Sequence, residues 1–213
     1  EYSCFGKPVT LAKTGGIYPV ILCAGQEKTY AMLEKLLDEI LPLFPGKHVH
    51  LGGDEAPKRE WKACPHCQQT MRENHLDNED ALEGYFLSRV IEMAAVRGKE
   101  AICWNDALMG NHLDSRAVIQ YWTVNHAEET KCFLQKGGKV IYSDMFSYYL
   151  DYPHICTPLQ RVYTDVPVLD DLPVADQIAG VECCLWTEHI ATNEQLERHL
   201  FPRLYAFGEM AWN

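Results

Sequence analysis

Five short apolar runs, at residues 48–51, 100–104, 117–122, 139–143 and 178–186, are set apart by stretches in which apolar residues recur every three or four positions. This alternation constrains the fold more than any other feature of the chain. Parallel strands need a crossover long enough to bring the chain back, normally a helix, and strands covered on both faces lose the polar–apolar alternation of a half-exposed strand. The runs are apolar without clean alternation, so they read as five strands of a parallel sheet flanked by helices, an α/β fold. Between them, Tyr30, Leu33, Leu36, Leu37, Ile40 and Leu43 predict an amphipathic helix within 26–44, stopped by Pro45-Gly46. Leu82, Tyr85, Phe86, Val90 and Met93 predict a second helix over 79–97, with Gly98 as its cap. A short helix is expected over 127–135, ahead of Gly137-Gly138, and a last one over 193–212. The stretch 144–177 is too long for a plain connection and is expected to serve function. No internal repeat or low-complexity segment interrupts the pattern.

Charge and composition narrow the partners. The net charge is −11 with no Lys/Arg-rich stretch, which argues against nucleic acid and anionic membrane surfaces and for a neutral or cationic small ligand. No apolar run approaches the ~20 residues of a membrane span. The 213 residues suffice for one large domain or two small ones. The first residues lack the basic and apolar regions of a signal peptide and the chain lacks an initiator Met, so it reads as part of something longer, with no compartment legible at its start. Nine cysteines, at 4, 23, 64, 67, 103, 132, 156, 183 and 184, are scattered too irregularly for a small disulfide framework and read mostly as buried free thiols.

The chemistry collects at the strand ends. After 48–51 the chain reads Gly52-Gly53-Asp54-Glu55, two acids on a hinge of two glycines, which alone among residues take positive φ freely and let backbone approach a ligand closely. The second run ends in Trp104 with Asn105-Asp106 behind it, and the third ends in Trp122. The fourth leads into Tyr148-Tyr149-Leu150-Asp151-Tyr152, and the fifth ends in Trp186-Thr187-Glu188. In a parallel barrel the C-terminal strand ends share one face, where such enzymes build their active sites. Flat rings with interspersed carboxylates suit a sugar: the rings for its apolar face, the acids for hydroxyls and proton transfer.

The segments HLGGDE, ICWND, IQYW, YYLDY, CCLWTE and FPRLYAFGEMAWN, in this order, resemble the catalytic barrel of the family-20 glycoside hydrolases, the β-N-acetylhexosaminidases. The resemblance covers essentially the whole chain. It implies a partial (β/α)8-type barrel over 1–213, a single domain equivalent to the family's strands four to eight, without the first three and without the Arg that grips O3 and O4 from the first. It implies activity on glycans ending in N-acetylhexosamine, no cofactor, no metal, and a periplasmic or extracellular setting. Two carboxylates that flank a glycosidic bond need about 5 Å or more between them, which neighbours on one hinge cannot provide across a sugar. The resemblance supplies the missing nucleophile, the substrate's own 2-acetamido oxygen. Glu55 is then the acid and base, Asp54 holds the acetamido N–H and stabilises the oxazolinium ion, and Tyr149 bonds the acetamido oxygen. Trp104, Trp122 and Trp186 enclose the acetamido group and the ring, and Asp151 and Glu188 bind sugar hydroxyls.

Other readings stand beside this one. A barrel short of three strands could be an inactive carbohydrate-binding remnant. Its bare strand edges and uncovered apolar surface predict self-association, or pairing with a missing upstream segment. Cys64-Pro-His-Cys67 resembles a thiol-oxidoreductase motif, but no strand precedes it. As half of a zinc site it lacks a second well-spaced Cys or His pair. Asp106 reads equally as a surface turn or as support for the acids.

Overall fold

The computed structural model describes residues 1–6, 11–165 and 175–212. The five predicted strands are present as β1 (His48–His50), β2 (Glu100–Trp104), β3 (Val118–Tyr121), β4 (Lys139–Tyr142) and β5 (Ile178–Val181). They form one sheet in chain order, and β1 pairs with β2, and β4 with β5, in parallel. Two compact units divide the chain, Glu1–Val118 and Ile119–Asn213.

In the first unit, α1 (Glu27–Ile40) and α4 (Glu79–Ala95) are the two predicted amphipathic helices. Leu37, Leu41 and Val90 form a core with Leu33, Val49, Leu51, Phe86 and Met93, so the apolar stripes of both helices cover β1. The side chain of Asn78 caps α4 by accepting from the Ala81 N–H, and Glu79 and Asp80 in the first turn suit the positive end of the helix dipole. Two short helices, α2 (Arg59–Ala63) and α3 (Pro65–Glu73), lie between β1 and α4, with Pro65 at the start of α3 where its missing N–H costs nothing. A second core gathers Cys4, Cys23, Trp61, Cys64, Cys67, Met71 and Leu82 under these helices.

In the second unit, α5 (Ala127–Gln135) follows β3 as predicted. Within the stretch 144–177, α6 (Met145–Tyr148) starts on Asp144, whose carboxylate accepts from the Phe146 and Ser147 N–H groups at 3.1 Å, and α7 (Leu159–Thr164) follows. Part of that stretch, 166–174, lies outside the described residues. Two boundaries differ from expectation. The strand 178–186 stops at Val181 because the chain changes partner: Cys184 donates to Tyr148 O at 2.9 Å and Leu150 donates to Cys184 O at 2.7 Å, a separate parallel bridge. The helix 193–212 is two helices, α8 (Asn193–Leu200) and α9 (Arg203–Trp212), since Pro202 has no N–H to continue the ladder and its ring would collide with the preceding turn.

Candidate active site

The acid pair sits where the sequence puts it, on the loop leaving β1. Gly52 and Gly53 take φ of +78° and +95°, and Glu55 itself is at +47°, uncommon for a residue with a side chain. Backbone bonds close the hinge onto the neighbouring strand: Leu51 donates to Ile102 O at 2.8 Å and Trp104 donates to Gly52 O at 3.0 Å. Gly53 suits its positive φ, and a Cβ there would lie 2.9 Å from Leu87 Cδ1 and 3.3 Å from Ala107 Cβ, so the Leu87 side chain would have to shift as well.

Asp106 is buried, and its Oδ1 accepts from the Glu55 N–H at 3.2 Å, which settles its reading as support for the acids. Asp54 and Glu55 keep access to solvent, yet protein on their remaining sides desolvates them and raises both carboxyls above their ordinary range. The negative charges of Asp54 and then Asp106 raise Glu55 further; Asp106 does the same to Asp54, against a lowering by its own backbone N–H and by His50. Trp104 is buried beside the hinge with its ring 4.8 Å from that of His50. A cleft of about 720 Å³ is lined by Asp54 and Glu55 together with Tyr2, Ser3, Ile21, Leu22 and Trp61. Glu83 also lines it, only 3% exposed, with Lys58 Nζ 2.6 Å from its Oε2; burial pushes its carboxyl up to about 7 despite that cation.

The remaining predicted residues gather in the second unit. Tyr149 is buried, stacked on Trp122 at 6.3 Å between ring centres and tilted against Trp186 at 6.0 Å. Asp151, half-buried, has its carboxyl raised first by desolvation, against hydrogen bonds from its own and the Trp186 backbone, and then by the charge of exposed Glu188. The strand bridge between 148–150 and Cys184 is what brings the Tyr149 loop beside Trp186.

Sequence reasoning missed the residue that holds this loop. Arg203 is fully buried and donates to the carbonyls of Leu150 at 2.5 Å, Tyr152 at 2.9 Å, Thr157 at 3.1 Å and His199 at 2.6 Å. The signal was an Arg inside the apolar run Phe201 to Phe207; a guanidinium in such company needs buried acceptors.

The expectation that Cys64 and Cys67 lack a second pair is corrected. Cys4 and Cys23 supply the pair, and all four sulfurs lie within 4.8 Å of one another. The chain separations that hide this are closed by folding, since a β-bridge from Ser3 to Leu22 sets Cys4 beside Cys23.

Residues 3–213 match the family described as glycosyl hydrolase family 20, catalytic domain. The β-hexosaminidase of Porphyromonas gingivalis is 31% identical over 232 residues, which cover 100% of this chain and 29% of that protein. The crystal structure of the β-N-acetylhexosaminidase from Bacteroides fragilis superposes with a TM-score of 0.85 at 28% identity, over 100% of this chain and 44% of its own. The exo β-N-acetylglucosaminidase from Vibrio harveyi, solved with N-acetylglucosamine, gives a TM-score of 0.79 at 28% identity, over 91% of this chain and 32% of its own. The chain spans about a third of the length of the curated relatives it matches. A match over nearly every residue, with the acid pair and aromatic loops on a parallel α/β sheet, leaves one assignment: the chain belongs to glycosyl hydrolase family 20 and comprises part of its catalytic domain.

Proposed function

We propose that the protein removes terminal β-linked N-acetylglucosamine or N-acetylgalactosamine from glycans with retention of configuration, using the substrate's 2-acetamido oxygen as nucleophile. The observation that carries this reading is the adjacency of Asp54 and Glu55 on one glycine hinge. Neighbouring carboxylates cannot stand on opposite faces of a sugar as nucleophile and acid, so one of them is free for another task. Glu55, its carboxyl raised by desolvation and by Asp54, holds a proton for the leaving oxygen and later takes one from water. Asp54 as an anion accepts from the acetamido N–H and faces the positive charge of the oxazolinium ion. Tyr149 donates to the acetamido oxygen, Trp104, Trp122 and Trp186 wall the sugar, and Asp151 and Glu188 take its hydroxyls; family membership supports assigning both groups of residues to one sugar.

Glu55→Gln tests the reading on two classes of N-acetylglucosaminide. Turnover of an alkyl glycoside, a poor leaving group, is expected to fall by about 10²–10⁴-fold. A nitrophenyl glycoside, which needs less protonation, is expected to lose much less. A thiazoline that mimics the oxazolinium intermediate should inhibit the unmodified protein strongly. Equal loss on both substrates would count against Glu55 as the acid, and no inhibition would point to a two-carboxylate mechanism through Asp151 or Glu188.

A further inference from the structure

The four clustered cysteines serve no step of the proposed reaction, yet their arrangement is that of a coordination shell. Three of their sulfur pairs, Cys4–Cys67, Cys23–Cys64 and Cys23–Cys67, stand 3.7 Å apart, and the remaining pairs fall within 4.8 Å. A disulfide would hold two sulfurs at about 2.05 Å. A tetrahedron of thiolates around zinc, with Zn–S about 2.3 Å, has edges of about 3.8 Å. The observed spacing therefore fits four ligands around one ion and not two bonded pairs.

The backbone is built to the same end. Cys4 and Cys23 are held together by the Ser3–Leu22 bridge and by the Cys23 N–H donating to Tyr2 O at 2.8 Å. Cys64 and Cys67 have the two-residue ligand spacing common in zinc sites and sit at the N-terminus of α3, where the helix dipole favours thiolate. A Cβ on Gly25 would fall 2.3 Å from the His66 carbonyl carbon and 2.4 Å from Cys67 N, so only glycine lets the Cys23 turn close over the Cys64 turn. All four thiols are buried, at 0–7% exposure, beneath Trp61, Met71 and Leu82. A thiol oxidoreductase needs its attacking sulfur accessible, and none of these is.

We propose that Cys4, Cys23, Cys64 and Cys67 bind one Zn²⁺ ion through four thiolates, and that this ion fastens the N-terminal part of the lining of the cleft that Asp54 and Glu55 share. Binding converts the thiols to thiolates and releases their four protons. With every position filled by protein the ion has no place for water or substrate, so its role is structural. The ion joins two segments that line the cleft, the one carrying Tyr2, Ser3, Ile21 and Leu22 and the one carrying Trp61, whose Nε1 already donates to Leu22 O at 3.0 Å.

The test is metal analysis of the whole protein purified without added metal or chelator. Elemental and native mass spectrometry should find one zinc per chain. Exchange with Co²⁺ should produce sulfur-to-cobalt charge-transfer bands in the near ultraviolet and the visible bands of a tetrahedral ion. Cys64→Ser is expected to lower zinc to below about 0.1 per chain, while Cys132→Ser, at an exposed thiol, should leave it unchanged. Should Cys64→Ser fail to fold, an organomercurial added to the unmodified protein must release one equivalent of zinc to a chromogenic chelator. Four freely titrating thiols without zinc, a mass showing disulfides, or iron in the site would overturn the proposal.

Discussion

The hinge before Asp54 and the loop around Tyr149 position their side chains by opposite means. At Gly53 the constraint is an omission: φ of +95° suits a residue without a Cβ, and an added one would press on Leu87 and Ala107. Around Tyr149 it is an addition, the Arg203 guanidinium gathering carbonyls from Leu150, Tyr152 and Thr157, some 50 residues away in sequence. A hinge of the first kind fails by strain when atoms are added. A clamp of the second kind fails when atoms are removed, because buried carbonyls then lose their donors. The two therefore differ in how much stability one substitution can take from the molecule.

Removing the clamp should have the largest effect. Arg203→Met keeps the apolar stem and strips the donors, and a loss of about 3 kcal/mol in urea unfolding is expected; a loss under about 1 kcal/mol would mean that the aromatic stacking, and not the arginine, holds the loop. Gly53→Ala comes next, at about 1–3 kcal/mol, from positive φ and contact with Leu87 combined. If its unfolding curve matched that of the unmodified protein, the hinge would not be the strained element described above. The smallest effect belongs to Asp106→Asn, which keeps an oxygen for the Glu55 N–H but removes a negative charge. Less repulsion lowers the pKa of both Asp54 and Glu55, so the basic limb of the pH–rate profile, set by loss of the Glu55 proton, should move to lower pH by less than about one unit. An unmoved limb would limit Asp106 to holding the backbone.

What could be read in the sequence followed from how local its cause was. The strands were legible because each is a short apolar run, and the acid pair because its glycines stand next to it. The break between α8 and α9 was hidden because apolar positions continue through Leu200, Phe201 and Leu204, although Pro202 was there to be weighed against them. The hold of Arg203 on Thr157, the meeting of Cys4 and Cys23 with Cys64 and Cys67, and the link from Asp106 to Glu55 depend on contacts across 41 to 63 positions. No spacing rule for a single segment reaches that far.

Glu83 beneath the hinge makes the folded protein a store of exchangeable hydrogen ions. Its carboxyl titrates near 7 in the native state and near 4.5 when exposed, so between those values folded chains carry a proton that unfolded chains have given to the solvent. The sign is that of a raised acid: this contribution is complete below the lower value and is lost as pH rises through the upper one, at no more than about 1.4 kcal/mol per pH unit. The raised carboxyls of Asp54, Glu55 and Asp151 act in the same direction. Heat-unfolding enthalpies near pH 6 should consequently differ between buffers of high and low ionisation enthalpy, the released proton being taken up by whichever base surrounds it.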